Sequence, residues 1–150
     1  MQGPLPPRPA SATQTAPDDN VRLVRAIWDA DRRRDWDAIY PAYAEDAVWE
    51  DHAGLWGDWG VARGPEGIRE AWRRWHEAFE NVQMDFGEVT SAGDVVIVTY
   101  AVQARGRGSG VEVHQSITLV WTLAAGKAVR IRAYLSRAEA LEAAGLPDTP

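Results

Sequence analysis

The sequence predicts an α+β domain in which a curved antiparallel sheet wraps around N-terminal helices and encloses a cone-shaped internal cavity. Apolar residues recur at helical spacing up to about residue 79, whereas from Val82 onward they alternate as in strands. Short turn sequences link the later segments, so consecutive strands run antiparallel. The helices that precede such a sheet can bury their apolar faces only against one side of it.

The first part of the chain contains three predicted helices. The first follows capping candidates at 18–20, and the arginines at 32–34 lie near its end, where cations suit the helix dipole. A short second helix is capped by Asp35 and ends near Pro41, and the third begins at Gly64-Pro65. The apolar face of the first helix consists of Val21, Val24, Ile27 and Trp28.

The remaining elements are strands and one last helix. "AVWED" (47–51) reads as a short strand, and β-branched and aromatic residues fill four segments at 82–91, 94–107, 111–124 and 127–135. Ser136 and Glu139 form a capping box for the final helix, which Gly145 ends.

The domain is predicted to span residues 18–146. Residues 1–17 carry five prolines and almost no apolar side chains, which predicts a disordered tail, and residues 147–150 form a short C-terminal tail. We find no apolar run near the roughly 20 residues that a membrane helix needs, and no apolar stretch typical of a signal peptide. The sequence therefore predicts a soluble protein without a membrane partner.

Composition excludes several classes of function. The formal net charge of −6 argues against a nucleic-acid partner, because phosphate binding requires a basic face. The chain has no cysteine, which excludes disulfides and thiolate metal sites and fits a cytoplasmic location. The histidines and acids match no compact ligand motif, so we expect no metal and no cofactor.

The segment "AVWEDHAGLWGDWG" (47–60) combines tryptophans with acids and therefore suggests the edge of a ligand site. Trp49, Trp56 and Trp59 suit the flat face of a hydrophobic small molecule. Asp51 beside them would be partly desolvated, which raises the pKa of a carboxyl group toward a range useful for acid–base chemistry. The alternative is a surface acid that caps the following loop. Trp56 and Trp59 could likewise only pin that loop to the core.

The motifs "YAEDAVWED", "GPEGIREAW" and "RIRAYLSRAEALEAAGL", in this order of elements, resemble the SnoaL-like branch of the nuclear transport factor 2-like superfamily. The resemblance covers about residues 19–146. The group includes polyketide cyclases, ketosteroid isomerases and limonene epoxide hydrolases. It implies a conical α+β barrel with an internal cavity, and commonly a homodimer.

The resemblance transfers to this chain in part. Asp51 stands where the isomerases have their general base. Their oxyanion-hole positions correspond to an apolar residue near Val24 and to Thr118, so a strong donor is missing at both. The two aspartates and bridging arginine of the epoxide hydrolases are not recognisable. A SnoaL-type cyclase, which needs a single well-placed carboxylate, fits better.

If Thr118 faces the cavity as the resemblance implies, strand alternation turns His114, Ser116 and Val120 inward as well. His114 would then be a proton partner of Asp51, or a structural histidine. The opposite face would be apolar and suited to a homodimer, since it would present Val113, Ile117, Leu119 and Trp121.

The sequence thus predicts a cofactor-independent cyclase or isomerase that uses acid–base chemistry on a hydrophobic carbonyl compound. The alternative is a non-catalytic protein of the same fold that binds a hydrophobic ligand or serves only for association. The expected catalytic residues are Asp51 and His114. The expected ligand-binding residues are Trp49, Trp56, Trp59, Tyr100 and Thr118.

Overall fold

The computed structural model describes residues 17–54 and 60–147. The predictions for residues 1–16 and 148–150 and for Trp56 and Trp59 therefore lie outside the described residues, whereas Pro17, expected to end the N-terminal tail, is the first residue of a helix. The helices are α1 (Pro17–Arg32), α2 (Trp36–Ile39), α3 (Gly64–Ala78) and α4 (Arg137–Ala143). The strands are β1 (Tyr43–Asp51), β2 (Val61–Arg63), β3 (Phe79–Ala92), β4 (Val95–Gly106), β5 (Glu112–Ala124) and β6 (Lys127–Tyr134).

The strands form one six-stranded sheet in the order β2-β1-β6-β5-β4-β3, and helices pack against it. This architecture confirms the predicted α+β class. One pairing differs from the expected antiparallel sheet, because β1 runs parallel to β6 with Trp49 opposite Ile131. No hairpin sets the direction of this pair, since most of the domain lies between the two strands. Within the described part of the chain, none of the helices has the length and apolar character needed to cross a membrane.

Local capping explains where the short elements begin. The side chain of Asp35 accepts a hydrogen bond from the backbone N–H of Ala38 at 3.3 Å, as expected for the start of α2. Pro65 lies in the first turn of α3, where a missing N–H costs nothing. Ser136 accepts a bond from the N–H of Glu139 at 3.1 Å and so starts α4. These predictions are confirmed.

The faces of β5 are the reverse of the prediction. Leu119 and Trp121 point toward the helices and belong to the main core, and Trp121 is 3% exposed. Thr118 and Val120 point to the outer face. The physical reason is that Ile117, Leu119, Trp121 and Leu123 form the bulkier apolar row, and the thick helical layer can bury more apolar surface than α4 alone.

The outer face of the sheet is covered in part by α4. Ala140 and Leu141 of this helix pack on Ile97 and Val120. Beyond the helix the outer face is exposed and mainly polar, with Ala101, Gln103, His114 and Ser116. The apolar outer surface expected from the sequence is therefore not present on these strands.

Candidate functional site

An aromatic cavity lies between the first three helices and the inner face of the sheet. Aromatic rings form most of its wall, and its volume is about 30 Å³, the size of one water molecule, so a ring can enter only when a side chain of the wall moves aside. We call it the aromatic cavity. Its lining consists of Ile27, Trp28, Asp31, Trp36, Ile39, Tyr43, Trp49, Trp72, Met84, Tyr100, Leu119 and Trp121.

The rings of the cavity wall contact one another, which fixes their positions. The centroids of Trp28 and Tyr100 are 5.1 Å apart. Trp49 makes edge contacts with Trp72 at 5.2 Å and with Trp121 at 6.2 Å. Such tilted and edge contacts are the preferred aromatic geometries. The wall is therefore preorganised and mostly apolar, with a few polar atoms at set places.

The aromatic cavity opens into a larger surface groove, which we call the mouth groove. The two spaces share Trp28, Asp31 and Met84, and the mouth groove has a volume of about 370 Å³. This volume is in the range of small-molecule sites. Apart from Phe79 and Val82, the remaining lining is polar or charged, and it consists of Arg32, Arg34, His76, Glu80, Asn81, Gln83, Asp85 and Arg107.

Asp31 is the acid at the junction of cavity and groove. It lies in the last turn of α1, one helical turn after Ile27 and Trp28, and is half-buried. Burial raises the pKa of Asp31 from 3.8 to about 6, and the nearby charge of Arg34 partly opposes this rise. A carboxyl group with this pKa exchanges protons readily near neutral pH.

Two buried tyrosines lie near this acid. Burial raises the pKa of Tyr100 above its usual range, and the charge of Asp31 raises it further. The same causes, in the same order, raise the pKa of Tyr43. Both hydroxyls therefore stay protonated at neutral pH.

Two polar atoms of the cavity wall are available to a ligand. Within the described part of the chain, neither the hydroxyl oxygen of Tyr100 nor Nε1 of Trp121 meets the distance and angle limits of a full hydrogen bond. The two groups are neighbours, and a weak hydrogen bond from the Trp121 indole to the hydroxyl oxygen offsets part of the rise in the Tyr100 pKa. Buried polar atoms without partners are uncommon in folded proteins. Their presence here indicates a place for a polar ligand atom.

The predicted residues of β1 lie partly in this site. Trp49 is in the cavity wall, whereas Asp51 is not among the lining residues. Asp51 is half-buried at the end of β1, on the same sheet face as Trp49. Its Oδ1 accepts a hydrogen bond from the N–H of Ala53 at 3.1 Å, which is the loop-capping alternative stated above. A catalytic role of Asp51 stays a prediction.

The expected inward orientation of His114 and Thr118 is wrong. His114 is exposed on the outer face, opposite Gln103 of β4. Thr118 is buried on that same face, and its hydroxyl is hydrogen-bonded to that of Thr99 at 3.0 Å. Both orientations result from the reversed faces of β5. Tyr100, in contrast, lies in the cavity wall.

Sequence reasoning missed Asp31, although a signal was present. Asp31 continues the apolar stripe of α1, three residues after Trp28 and four after Ile27. A carboxylate on the apolar face of a helix must be buried or lie beside a cavity.

A guanidinium group and an imidazole meet at the edge of the mouth groove. Nη2 of Arg34 lies 3.5 Å from Nδ1 of His76. Burial and the charge of Arg34 lower the pKa of His76, so the imidazole is neutral at pH 7. His76 is thus a neutral group in the lining of the groove.

The chain belongs to the SnoaL-like family. The sequence profile of the SnoaL-like domain matches residues 24–131, which confirms the resemblance inferred from the motifs. This span contains Asp31, Tyr43, Tyr100 and Trp121 of the site. The sequence has no significant match among curated proteins.

Similar solved structures share the fold. The TerC structure, co-crystallised with polyporic acid, has a TM-score of 0.69 at 22% identity, covering 83% of this chain and 96% of that one. A proposed polyketide cyclase from Sinorhizobium meliloti has a TM-score of 0.63 at 26% identity, with coverages of 75% and 94%. A protein from Catenulispora acidiphila with a ketosteroid isomerase-like fold, solved with trimethylamine, has a TM-score of 0.65 at 23% identity, with coverages of 85% and 97%.

Proposed function

We propose that this protein is a cofactor-independent enzyme that moves a proton on a hydrophobic carbonyl compound, as a cyclase or isomerase does. The observation that carries the proposal is the Asp31 carboxyl group. It lies between the mouth groove and the aromatic cavity, and burial raises its pKa to about 6. This assignment places the proton carrier on α1 and not at Asp51.

The proposed chemistry uses the two sides of the cavity. The carboxylate of Asp31 takes a proton from the carbon next to the substrate carbonyl, and the electron pair of that C–H bond forms the enolate. The hydroxyl of Tyr100 donates a hydrogen bond to the enolate oxygen, and Nε1 of Trp121 is a second donor. The proton on Asp31 then returns to the substrate at another carbon, or at the same carbon with inverted configuration.

Two further facts support a small-molecule ligand. Structures of the same fold were obtained with polyporic acid and with trimethylamine. The mouth groove of this chain, at about 370 Å³, suits a molecule of several rings better than the aromatic cavity alone. Met84 borders both spaces, and its flexible side chain can move to admit an apolar ring.

Proton exchange into deuterated water tests the proposal without knowledge of the product. A panel of hydrophobic cyclic ketones is incubated with the protein, and loss of the α-proton signal is followed by NMR. We expect exchange with the wild type and none above background with Asp31→Asn. Asp29→Asn, on the same helix but outside the groove lining, is the control and should exchange normally. Equal exchange by wild type and Asp31→Asn would exclude this role of Asp31.

The alternative is a binding protein without catalysis, which the rigid aromatic wall also supports. Tryptophan fluorescence separates the two functions. Ketones that quench the fluorescence but never exchange their α-protons would support binding alone.

A homodimer and a cytoplasmic location stay predictions. The polar outer face of β4 and β5 removes the apolar argument for the dimer, which then rests on the family resemblance alone. Sedimentation at high micromolar concentration tests the first prediction, and fractionation of the producing cells tests the second.

A further inference from the structure

We propose that the mouth groove recognises an anionic group, so that the ligand is an apolar ring compound carrying a carboxylate or a similar acidic group. The inference rests on the proposed function, because it assumes that the ring portion enters the aromatic cavity. It adds the chemical class of the ligand. Arg34 is the residue that carries it, and Arg107 supports it from another wall of the groove.

The backbone at Arg34 has a conformation that glycine suits better. Its φ is 57°, which places a bulky residue in the left-handed region. The N–H of Arg34 donates to the carbonyl of Asp31 and that of Asp35 to the carbonyl of Ala30, both at 2.9 Å, which closes the end of α1. Glycine is the usual residue at such a helix end. Arg34 thus places its guanidinium group at the groove although its own backbone conformation is unfavourable for a residue other than glycine. Such backbone strain is typical of functional positions.

The charge of Arg34 is not neutralised by an ion pair. Within the described ranges, no carboxylate oxygen lies within 4.0 Å of its guanidinium, and Nη2 lies 3.5 Å from the neutral ring of His76. Arg73, by comparison, is paired with Glu70 and Glu77 on the exposed face of α3. Asp31 feels the charge of Arg34 only at longer range. Arg34 therefore retains its capacity to bind a carboxylate.

Arg107 lies in the turn between β4 and β5 and lines the same groove. Its backbone N–H donates to the carbonyl of Ala78 at 2.9 Å, which holds the turn against the end of α3. Its side chain reaches Glu80 at 3.6 Å, a long and exposed ion pair of the kind that contributes little. Asp85 adds a further negative charge to the lining but is exposed. An incoming anion can therefore compete for Arg107.

The order of the spaces sets the orientation of the ligand. Apolar rings contact Trp28 and Met84 on the way into the aromatic cavity, while the rest of the ligand lies in the mouth groove beside Arg34 and Arg107. Guanidinium groups bind carboxylates through paired hydrogen bonds in a fixed geometry. The groove thus selects ligands with an apolar end and an acidic end.

Two fluorescent probes with the same ring body test the inference. 1-Anilinonaphthalene-8-sulfonate carries an anionic group, and N-phenyl-1-naphthylamine lacks it. We expect the wild type to bind both, and the anionic probe more tightly. Arg34→Gln should weaken binding of the anionic probe by about tenfold, since a charge-assisted bond is lost, and leave the neutral probe unchanged. Arg33→Gln removes the same charge next to the groove without touching its lining, and it should change neither affinity.

Arg34→Gly separates recognition from folding. Glycine relieves the left-handed backbone conformation, so the melting temperature should stay the same or rise. Binding of the anionic probe should still fall to the level of Arg34→Gln. A residue that merely ends α1 would not combine these two results.

The outcomes distinguish the inference from the proposed function. Binding of both probes with equal affinity, unaffected by Arg34→Gln, would overturn the anionic ligand and leave the apolar cavity standing. Equal losses from Arg33→Gln and Arg34→Gln would also overturn it, because the effect would then be one of general charge. Failure of both probes to bind would overturn the inference together with the ligand-binding cavity.

Discussion

Asp31 of α1 and Tyr100 of β4 line the same cavity, and each belongs to a different layer of the fold. Burial raises the pKa of both side chains, and the negative charge of Asp31 adds to the rise at Tyr100. Tyr100 therefore remains a hydrogen-bond donor at a pH where Asp31 can lose its proton. Burial thus keeps a base and a neutral hydrogen-bond donor in the wall of one cavity.

Asp31→Asn should stabilise the protein at neutral pH. The folded pKa of about 6 lies above the unfolded value near 3.8, so the folded state binds more protons and the free energy of unfolding falls as pH rises between these values. Asparagine removes this loss. We expect a gain of about 2–3 kcal/mol at about pH 7.5 and little change at about pH 3.5, measured by urea unfolding at both pH values. A gain of equal size at both would show that burial of this carboxylate is not its source.

Tyr100→Phe should leave stability nearly unchanged while reducing activity. The hydroxyl is buried, and its hydrogen bond with the Trp121 indole is weak, so its removal should change the free energy of unfolding by less than about 1 kcal/mol. Loss of an enolate donor should slow ketone α-proton exchange by about a hundredfold. Tyr134→Phe is the control, because Tyr134 stacks on His52 away from the cavity. Exchange at the wild-type rate in Tyr100→Phe would remove this residue from the mechanism.

The face assignment of β5 has its own test. Trp121→Asp buries a charge in the main core, so we expect a loss of more than about 4 kcal/mol or no folded protein. Ser116→Asp, on the exposed outer face of the same strand, should change stability by less than about 0.5 kcal/mol. Chemical denaturation compares the two. A folded Trp121→Asp with near wild-type stability would show that Trp121 lies on the outer face.

Two glycines should respond to alanine in opposite directions. A Cβ on Gly87 would lie 2.6 Å from the carbonyl oxygen of Thr99, so Gly87→Ala should destabilise the β3–β4 pair by about 1–3 kcal/mol. A Cβ on Gly67, in α3, would lie 3.9 Å from its nearest neighbour, the carbonyl carbon of Ala62. Gly67→Ala should therefore stabilise by about 0.5–1 kcal/mol, because alanine is the better helix former. Thermal unfolding of both variants checks the pair.

Most of the fold could be predicted from sequence because its signals are local. The cap at Asp35, the proline at Pro65 and the capping box at Ser136 each act within one turn of helix. The direction of β1 could not be predicted in this way. It depends on pairing with β6, and no short turn joins the two strands.

The candidate site was harder to predict because either of the two rows of side chains on a strand can be the row that faces the core. On β5 both rows contain apolar residues, and the resemblance placed Thr118 inside. The bulkier row with Leu119 and Trp121 is the one that fills the core. His114 and Thr118 alternate with this row and therefore both lie on the outer face. Asp31 was missed since its role depends on which residues of other elements surround it.

Because β1 pairs with β6, the sheet beside β1 can be completed only late in the synthesis of the chain. Trp49 of the cavity wall lies on β1, which leaves the ribosome early, whereas its neighbouring strand leaves near the end of synthesis. Until Lys127–Tyr134 has emerged, that edge of β1 has no strand beside it, and exposed strand edges favour aggregation. The pocket is therefore completed late during translation, and a chain that stops before β6 would retain the acid of α1 but lack a finished wall around it.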